Sequence, residues 1–171
     1  LEDDPQLNVR GLDVPRQPHL VVVDSRLDMP LSAKLLDTQG TGEQARQIWI
    51  YTATTEPSDK RAALTARGVT VIDCPGPGGK VDLAAMLRDL ARREINELHV
   101  EAGHKLNGSF IREGLVDEFL HYISPLLLGP GQGLANLPAL SALSDSVKLA
   151  FHAVDRIGPD LRLLLRKASQ T

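Results

Sequence analysis

Cysteine is almost missing from this chain. Cys74 is the one thiol in 171 residues, which excludes a disulfide framework and any zinc site built on CxxC pairs, and fits a reducing compartment such as the cytoplasm. Positive charge is not in excess either. With 19 Lys and Arg against 22 Asp and Glu, the net charge is -3 and the isoelectric point is near 5.9. No general attraction to phosphate backbones or anionic lipid follows, so neither nucleic acid nor membrane is an expected partner. No apolar run approaches the roughly 20 residues of a spanning helix, and Leu1 to Arg10 lacks the basic and apolar regions of a signal peptide. Internal repeats, low-complexity tracts and a linker are missing too, so 1–171 reads as a single domain. What is present is ordinary globular composition, 42% hydrophobic and 24% charged, enough for one core without staples. The opening on Leu1 instead of Met reads as a piece of a longer chain.

Asp3 to Gln17 is polar and carries Pro5, Gly11 and Pro15, the pattern of an extended arm. His19 to Val23 is the first strand, and its unbroken apolar residues predict cover on both faces. Most of Asp28 to Gln47 shows little periodicity and reads as surface loop. A strand at Gln47 to Thr52, a helix at Thr55 to Arg67 and a short strand at Val69 to Ile72 follow. The helix from Asp82 places Leu83, Met86, Leu87, Leu90 and Ala91 on one face. Glu97 to Glu101 reads as a fourth strand, turning through Ala102 and Gly103 into a helix that carries Leu106, Phe110 and Ile111 and stops at Gly114. A strand at Glu118 to Ser124 and an antiparallel pair, Val147 to Asp155 with Leu161 to Arg166, close the chain. The class expected is α/β: a mixed, mostly parallel sheet flanked by helices, with a C-terminal antiparallel hairpin.

In open α/β sheets ligands bind beyond the carboxyl ends of the strands. Ser25, Thr52 and the run Glu101 to Gly103 fall there. Gly103, at a strand-to-helix turn, allows close backbone approach, and free amides at the helix start favour a phosphate; Gly108 one turn later would keep that approach open. A phosphate site and a plain tight turn both remain open readings. A Walker loop is excluded, because Ser109 and Phe110 stand where Lys and Ser or Thr are required. Glu101 is a charge at the end of an apolar strand, either salt-bridged at a sheet edge or compensated by a ligand. His99 and Glu101 share one strand face and His104 follows, but no Cys pair and no PCxxC accompany them, so no metal is expected. Gly129, Gly131 and Gly133 open no amphipathic helix, and Cys74 has no base beside it in sequence. Asp3 and Asp4 read equally as a turn, and Arg10 as a surface charge.

The runs DDPQLNVR (Asp3 to Arg10), VVVDSR (Val21 to Arg26), LHVEAGHKLNGSFIREGLVDE (Leu98 to Glu118) and YISPLLLG (Tyr122 to Gly129) resemble the reductase domain of the bacterial bifunctional riboflavin-biosynthesis deaminase/reductase. The resemblance covers nearly the whole chain in the family's order and spacing. It implies a dihydrofolate-reductase-like fold and NADPH-dependent reduction of 5-amino-6-(5-phosphoribosylamino)uracil, a small phosphoribosylamino-pyrimidine, to the ribitylamino compound. By the same resemblance Asp3 and Ser25 contact NADPH, Leu7 and Arg10 contact substrate, and Glu101 binds substrate. Gly103, His104, Lys105, Leu106, Asn107, Gly108 and Ser109 would cradle the cofactor phosphates. Glu101 and Asp3 are the candidate catalytic carboxyls. Two departures stand out: His104 and Lys105 replace a common Pro and Thr, and the family's reductase domain begins upstream of DDP, so the chain reads as N-terminally truncated. A homo-oligomer is expected. A related reductase for another pterin or pyrimidine and a non-catalytic nucleotide-binding module are the alternatives.

Overall fold

The computed structural model describes residues 3–37 and 45–168. Leu1 and, within the expected loop, residues 38–44 lie outside them. The chain forms two compact units, Leu1–Asn96 and Glu97–Thr171.

In the first unit three parallel strands, β1 (Leu20–Val23), β2 (Ile48–Thr52) and β3 (Thr70–Asp73), lie in the order β1-β2-β3. The central strand, not the first, is covered on both sides. Every residue of β2 is buried, whereas β1 has a buried Leu20 followed by three half-buried valines, because an edge strand has a neighbour on one side only. Ile48 and Ile50 of β2 join Leu20, Leu64 and Val69 in the main core. The same core takes in Leu27, Met29, Ala33, Leu35 and Leu36. The expected surface loop is therefore corrected at Met29, Ala33, Leu35 and Leu36, which are buried: a 3-10 turn at Lys34–Asp37 and the bends before it turn these side chains inward, and such short segments show no helical or strand period.

Helix α1 (Asp59–Ala66) starts where the Ser58 hydroxyl accepts the Arg61 amide at 3.2 Å, and its end is followed by Gly68 at φ 78°. Helix α2 (Leu83–Arg92) is capped by Asp82, whose Oδ1 accepts the Ala85 amide at 2.8 Å, and it buries Leu83, Met86 and Leu90; Leu87 is half-buried and Ala91 is exposed.

The second unit holds helix α3 (His104–Arg112) and three antiparallel strands, β4 (Glu118–Ile123), β5 (Leu149–Ile157) and β6 (Asp160–Lys167), ordered β4-β6-β5. Gly158 at φ 59° makes the β5–β6 turn, as the Gly-Pro pair predicts. The expected strand at 97–101 is corrected: among the described residues it joins no ladder. Alternation of Leu98 and Val100 with polar residues supplies the strand pattern, yet a strand needs a backbone partner as well. The α/β class, the parallel strands, the helices and the C-terminal hairpin are all present, with the strands divided between one parallel and one antiparallel ladder.

Candidate functional site

Asp3, Leu7 and Arg10 lie on one arm of the first unit. Asp4 and Leu7 adopt left-handed backbone angles, φ 39° and 49°. The Asp4 carboxylate accepts the Lys34 amide at 3.0 Å and pairs with the Lys34 ammonium at 3.7 Å, so this acid holds the arm. Leu7 packs on the main core. Asp3 and Arg10 are exposed, and Arg10 has no hydrogen-bond or ionic partner among the described residues. Sequence reasoning missed Arg46, which is 2% exposed and donates to the carbonyls of Leu7 and Gln6 at 2.8 and 3.0 Å. Burial lowers its pKa from the usual arginine value. Burial, then the charges of Arg16 and Arg46, also lowers that of His19, consistent with a neutral ring whose Nδ1 accepts the Gln47 amide at 3.0 Å.

Ser25 follows β1. Its hydroxyl accepts the Val81 amide at 3.2 Å, and its carbonyl accepts the hydroxyls of Thr52 and Thr54, each at 3.2 Å. These bonds tie the ends of β1 and β2 to the glycine-rich loop before α2, where Gly78 and Gly79 both have positive φ. The Ser25 hydroxyl proton remains available to a ligand. Nearby Asp24 is spent, since its two oxygens accept the amides of Asp28 and Met29 at 2.9 and 2.8 Å.

Glu101 and the run 103–109 belong to the second unit. Glu101 is exposed, with 65% of its side chain accessible, and lies 3.4 Å from the His99 ring. The expectation of a costly charge at the end of an apolar strand is therefore corrected, because solvent hydrates this carboxylate. Gly103 caps α3 with no side-chain bond across the helix start, and a Cβ there would meet nothing within 4 Å. The amides of Leu106 and Asn107 already bond the Gly103 carbonyl. Those of His104 and Lys105 are left for a ligand, and the exposed Lys105 adds positive charge.

The rest of the run is engaged by the chain itself, with Gly108 buried and Asn107 and Ser109 half-buried. At Gly108 a Cβ would overlap the Asn136 carbonyl, so this glycine admits neighbouring backbone, not a ligand. Asn107 Nδ2 donates to the carbonyls of Ala102 and Leu134 at 3.1 and 3.2 Å. The Ser109 hydroxyl bonds the Lys105 carbonyl and Arg112, and Leu106 is half-buried.

A second polar cluster in the first unit escaped the sequence reading. Tyr51, fully buried, donates its hydroxyl proton to Asp89 at 2.7 Å. Asp89 also accepts from Arg93 at 2.7 Å and Arg92 at 3.1 Å, and Arg93 lies over the Trp49 ring. Burial, then the Asp89 carboxylate, pushes the Tyr51 hydroxyl far above its usual pKa, keeping it a donor. Neither residue stands out in sequence, since a strand tyrosine and a helix aspartate are ordinary.

A family model described as the RibD C-terminal domain matches residues 1–163. The riboflavin biosynthesis protein RibD of Aquifex aeolicus is 32% identical over 167 residues, covering 98% of this chain and 44% of that protein. A 5-amino-6-(5-phosphoribosylamino)uracil reductase of Buchnera aphidicola is 28% identical over 178 residues, covering 96% of this chain and 81% of the relative. Among solved structures, a RibD of Acinetobacter baumannii aligns with a TM-score of 0.78 and 28% identity over 98% of this chain and 44% of that one. The chain thus spans under half the length of these RibD proteins. With the family model running through both units and the fold shared with a RibD structure, the chain belongs to the RibD C-terminal domain family.

Proposed function

We propose that this chain is the reductase portion of a riboflavin-biosynthesis enzyme, acting as one domain in the cytoplasm. It reduces the sugar of 5-amino-6-(5-phosphoribosylamino)uracil with NADPH to give the ribitylamino compound. The observation that carries this reading is the alignment with a reductase of that name over 96% of this chain and 81% of the relative.

The residues present fit a dinucleotide phosphate. Gly103 leaves the start of α3 open, the His104 and Lys105 amides are unspent, and the Lys105 side chain is cationic. NADPH when bound supplies the hydride; the chain supplies binding and orientation. Gly103 to Lys105 are assigned to the diphosphate, with Leu106 to Ser109 holding the helix that presents them, and Ser25 and Asp3 are assigned to cofactor contacts by the family resemblance. Arg10 offers paired donors to the sugar phosphate, and Leu7 supports the arm that carries it. Glu101 accepts hydrogen bonds from the sugar or the pyrimidine; its pairing with His99 is exposed and weak enough to be exchanged. Glu101 and Asp3 are the carboxyls assigned to catalysis.

The test is a titration of NADPH against the chain by nicotinamide fluorescence, joined to an assay of NADPH oxidation with and without the phosphoribosylamino substrate. Substrate-dependent oxidation is expected, and Glu101→Gln should lose turnover while melting like the native chain. A chain that neither binds NADPH nor oxidises it with substrate present sinks the reading.

A further inference from the structure

Left-handed angles on residues with side chains cost on the order of 1 kcal/mol each and persist only where the surroundings enforce them. Two fall within four residues, at Asp4 and Leu7, on the arm that ends in Arg10. Arg46 enforces the second. Its two terminal nitrogens grip successive carbonyls, Gln6 at 3.0 Å and Leu7 at 2.8 Å, and a planar guanidinium fixes both peptide groups at once. Further clamps act on either side. Asp4 is bonded to Lys34, while the Gln17 side chain accepts the Val9 amide at 2.7 Å and donates to the Val9 carbonyl at 3.2 Å.

As a device for stability alone, Arg46 is poorly chosen. It is almost wholly buried, has no carboxylate partner among the described residues, and leaves Nε with no hydrogen-bond partner. Burying a cation against two neutral carbonyls and one unmet donor costs more than an apolar side chain of the same length would. What the guanidinium adds is a fixed path for the backbone that leads to Arg10.

We propose that Arg46 is a positioning residue, which sets the Gln6 and Leu7 peptides so that the Arg10 guanidinium is held ready for the phosphate of a sugar-phosphate substrate. This rests on the assignment of Arg10 made above.

The experiment compares the native chain with Arg46→Met and Arg46→Lys. It titrates ribose 5-phosphate as the probe and measures KM for the phosphoribosylamino substrate, KM for NADPH, and the melting temperature. For Arg46→Met, affinity for ribose 5-phosphate should fall, and the substrate KM rise, by on the order of tenfold to a hundredfold. KM for NADPH should move much less than the substrate KM, because Asp4 still ties the Asp3 end of the arm to Lys34, and the melting temperature should hold or increase. Lysine, a single point of donation, should recover only part of the loss. Unchanged affinity in Arg46→Met overturns the proposal, and so does a native chain that does not bind ribose 5-phosphate. If Arg46→Met does not fold, Gln17→Met decides: released from Val9, the arm should lose affinity in the same direction, and unchanged affinity there is equally fatal. A native chain that binds ribose 5-phosphate in an Arg46-dependent way but never reduces the substrate defeats the enzyme reading and leaves the arm proposal standing.

Discussion

Arg10 and Arg46 are one residue type in opposite electrostatic circumstances. The first is exposed and unpartnered among the described residues; the second is buried on two carbonyls. If Arg10 grips the sugar phosphate, Arg10→Ala removes charge-assisted hydrogen bonds of about 1.5–3 kcal/mol. Steady-state kinetics should show a rise in substrate KM of roughly tenfold to a hundredfold, with KM for NADPH and the melting temperature unchanged. Arg46 was illegible in the sequence because it falls in the aperiodic stretch from Asp28 to Gln47 that reads as surface loop. Asp89 makes a separate prediction. Burial alone would raise its pKa, but hydrogen bonds from Arg93, Tyr51 and Arg92 outweigh burial and lower it. A carboxyl whose pKa falls on folding contributes fully above its unfolded value, and loses that contribution as pH drops through the folded one. Asp89→Asn should therefore cost roughly 1–3 kcal/mol at neutral pH. Urea unfolding should show the gap to the native chain closing as pH falls below the ordinary carboxylate range, and a gap independent of pH would refute this role.

Two glycines at the start and in the middle of α3 lie in opposite surroundings, and one substitution separates them. At Gly103, with φ -71° and open space where a Cβ would lie, alanine should leave the melting temperature nearly unchanged while weakening NADPH binding in a fluorescence titration. At Gly108 the added carbon would press on the Asn136 backbone, 2.8 Å from its carbonyl carbon. That would drive the 134–136 segment off the helix and lower stability by about 1–3 kcal/mol in thermal unfolding. If both variants melt alike, the division of labour is wrong. Elements of this kind were legible where the pattern is local. The i, i+3, i+7 spacing of Leu83, Met86 and Leu90 marked α2, Asp82 marked its start, and the Gly158-Pro159 turn marked the β5–β6 hairpin, whereas the helix read from Thr55 begins only at Asp59, after the Ser58 cap. Partners distant in sequence left no such mark: Met29, Ala33, Leu35 and Leu36 enter the core without a period, Leu98 and Val100 alternate without a neighbouring strand, and Gly108 is filled by a loop nearly 30 residues further on. In the candidate site, Gly103 was legible as the turn into α3, although the strand expected before it joins no ladder among the described residues. Whether Asn107 and Ser109 turn in or out depended on contacts that no spacing reveals.

Across the whole chain, burial is uneven. Among the described apolar side chains that are buried, only Phe110 and Leu165 belong to the second unit. That unit leaves Tyr122, Leu127, Leu128, Phe151 and Val154 largely exposed on or beside its antiparallel sheet. The first unit instead buries every residue of β2, together with Leu35, Leu64, Met86 and Leu90. Since apolar burial is the main favourable term in folding, at roughly 25 cal/mol per Å², the two ladders should not share one opening free energy. Hydrogen exchange should find the amides of β4, β5 and β6 opening well before those of β2. In a urea titration, Trp49, the one tryptophan and a residue of β2, should keep its native emission after part of the far-ultraviolet signal is lost. Coincident transitions, with equal protection in both ladders, would mean that the exposed apolar surface of the second unit carries no penalty in the isolated chain.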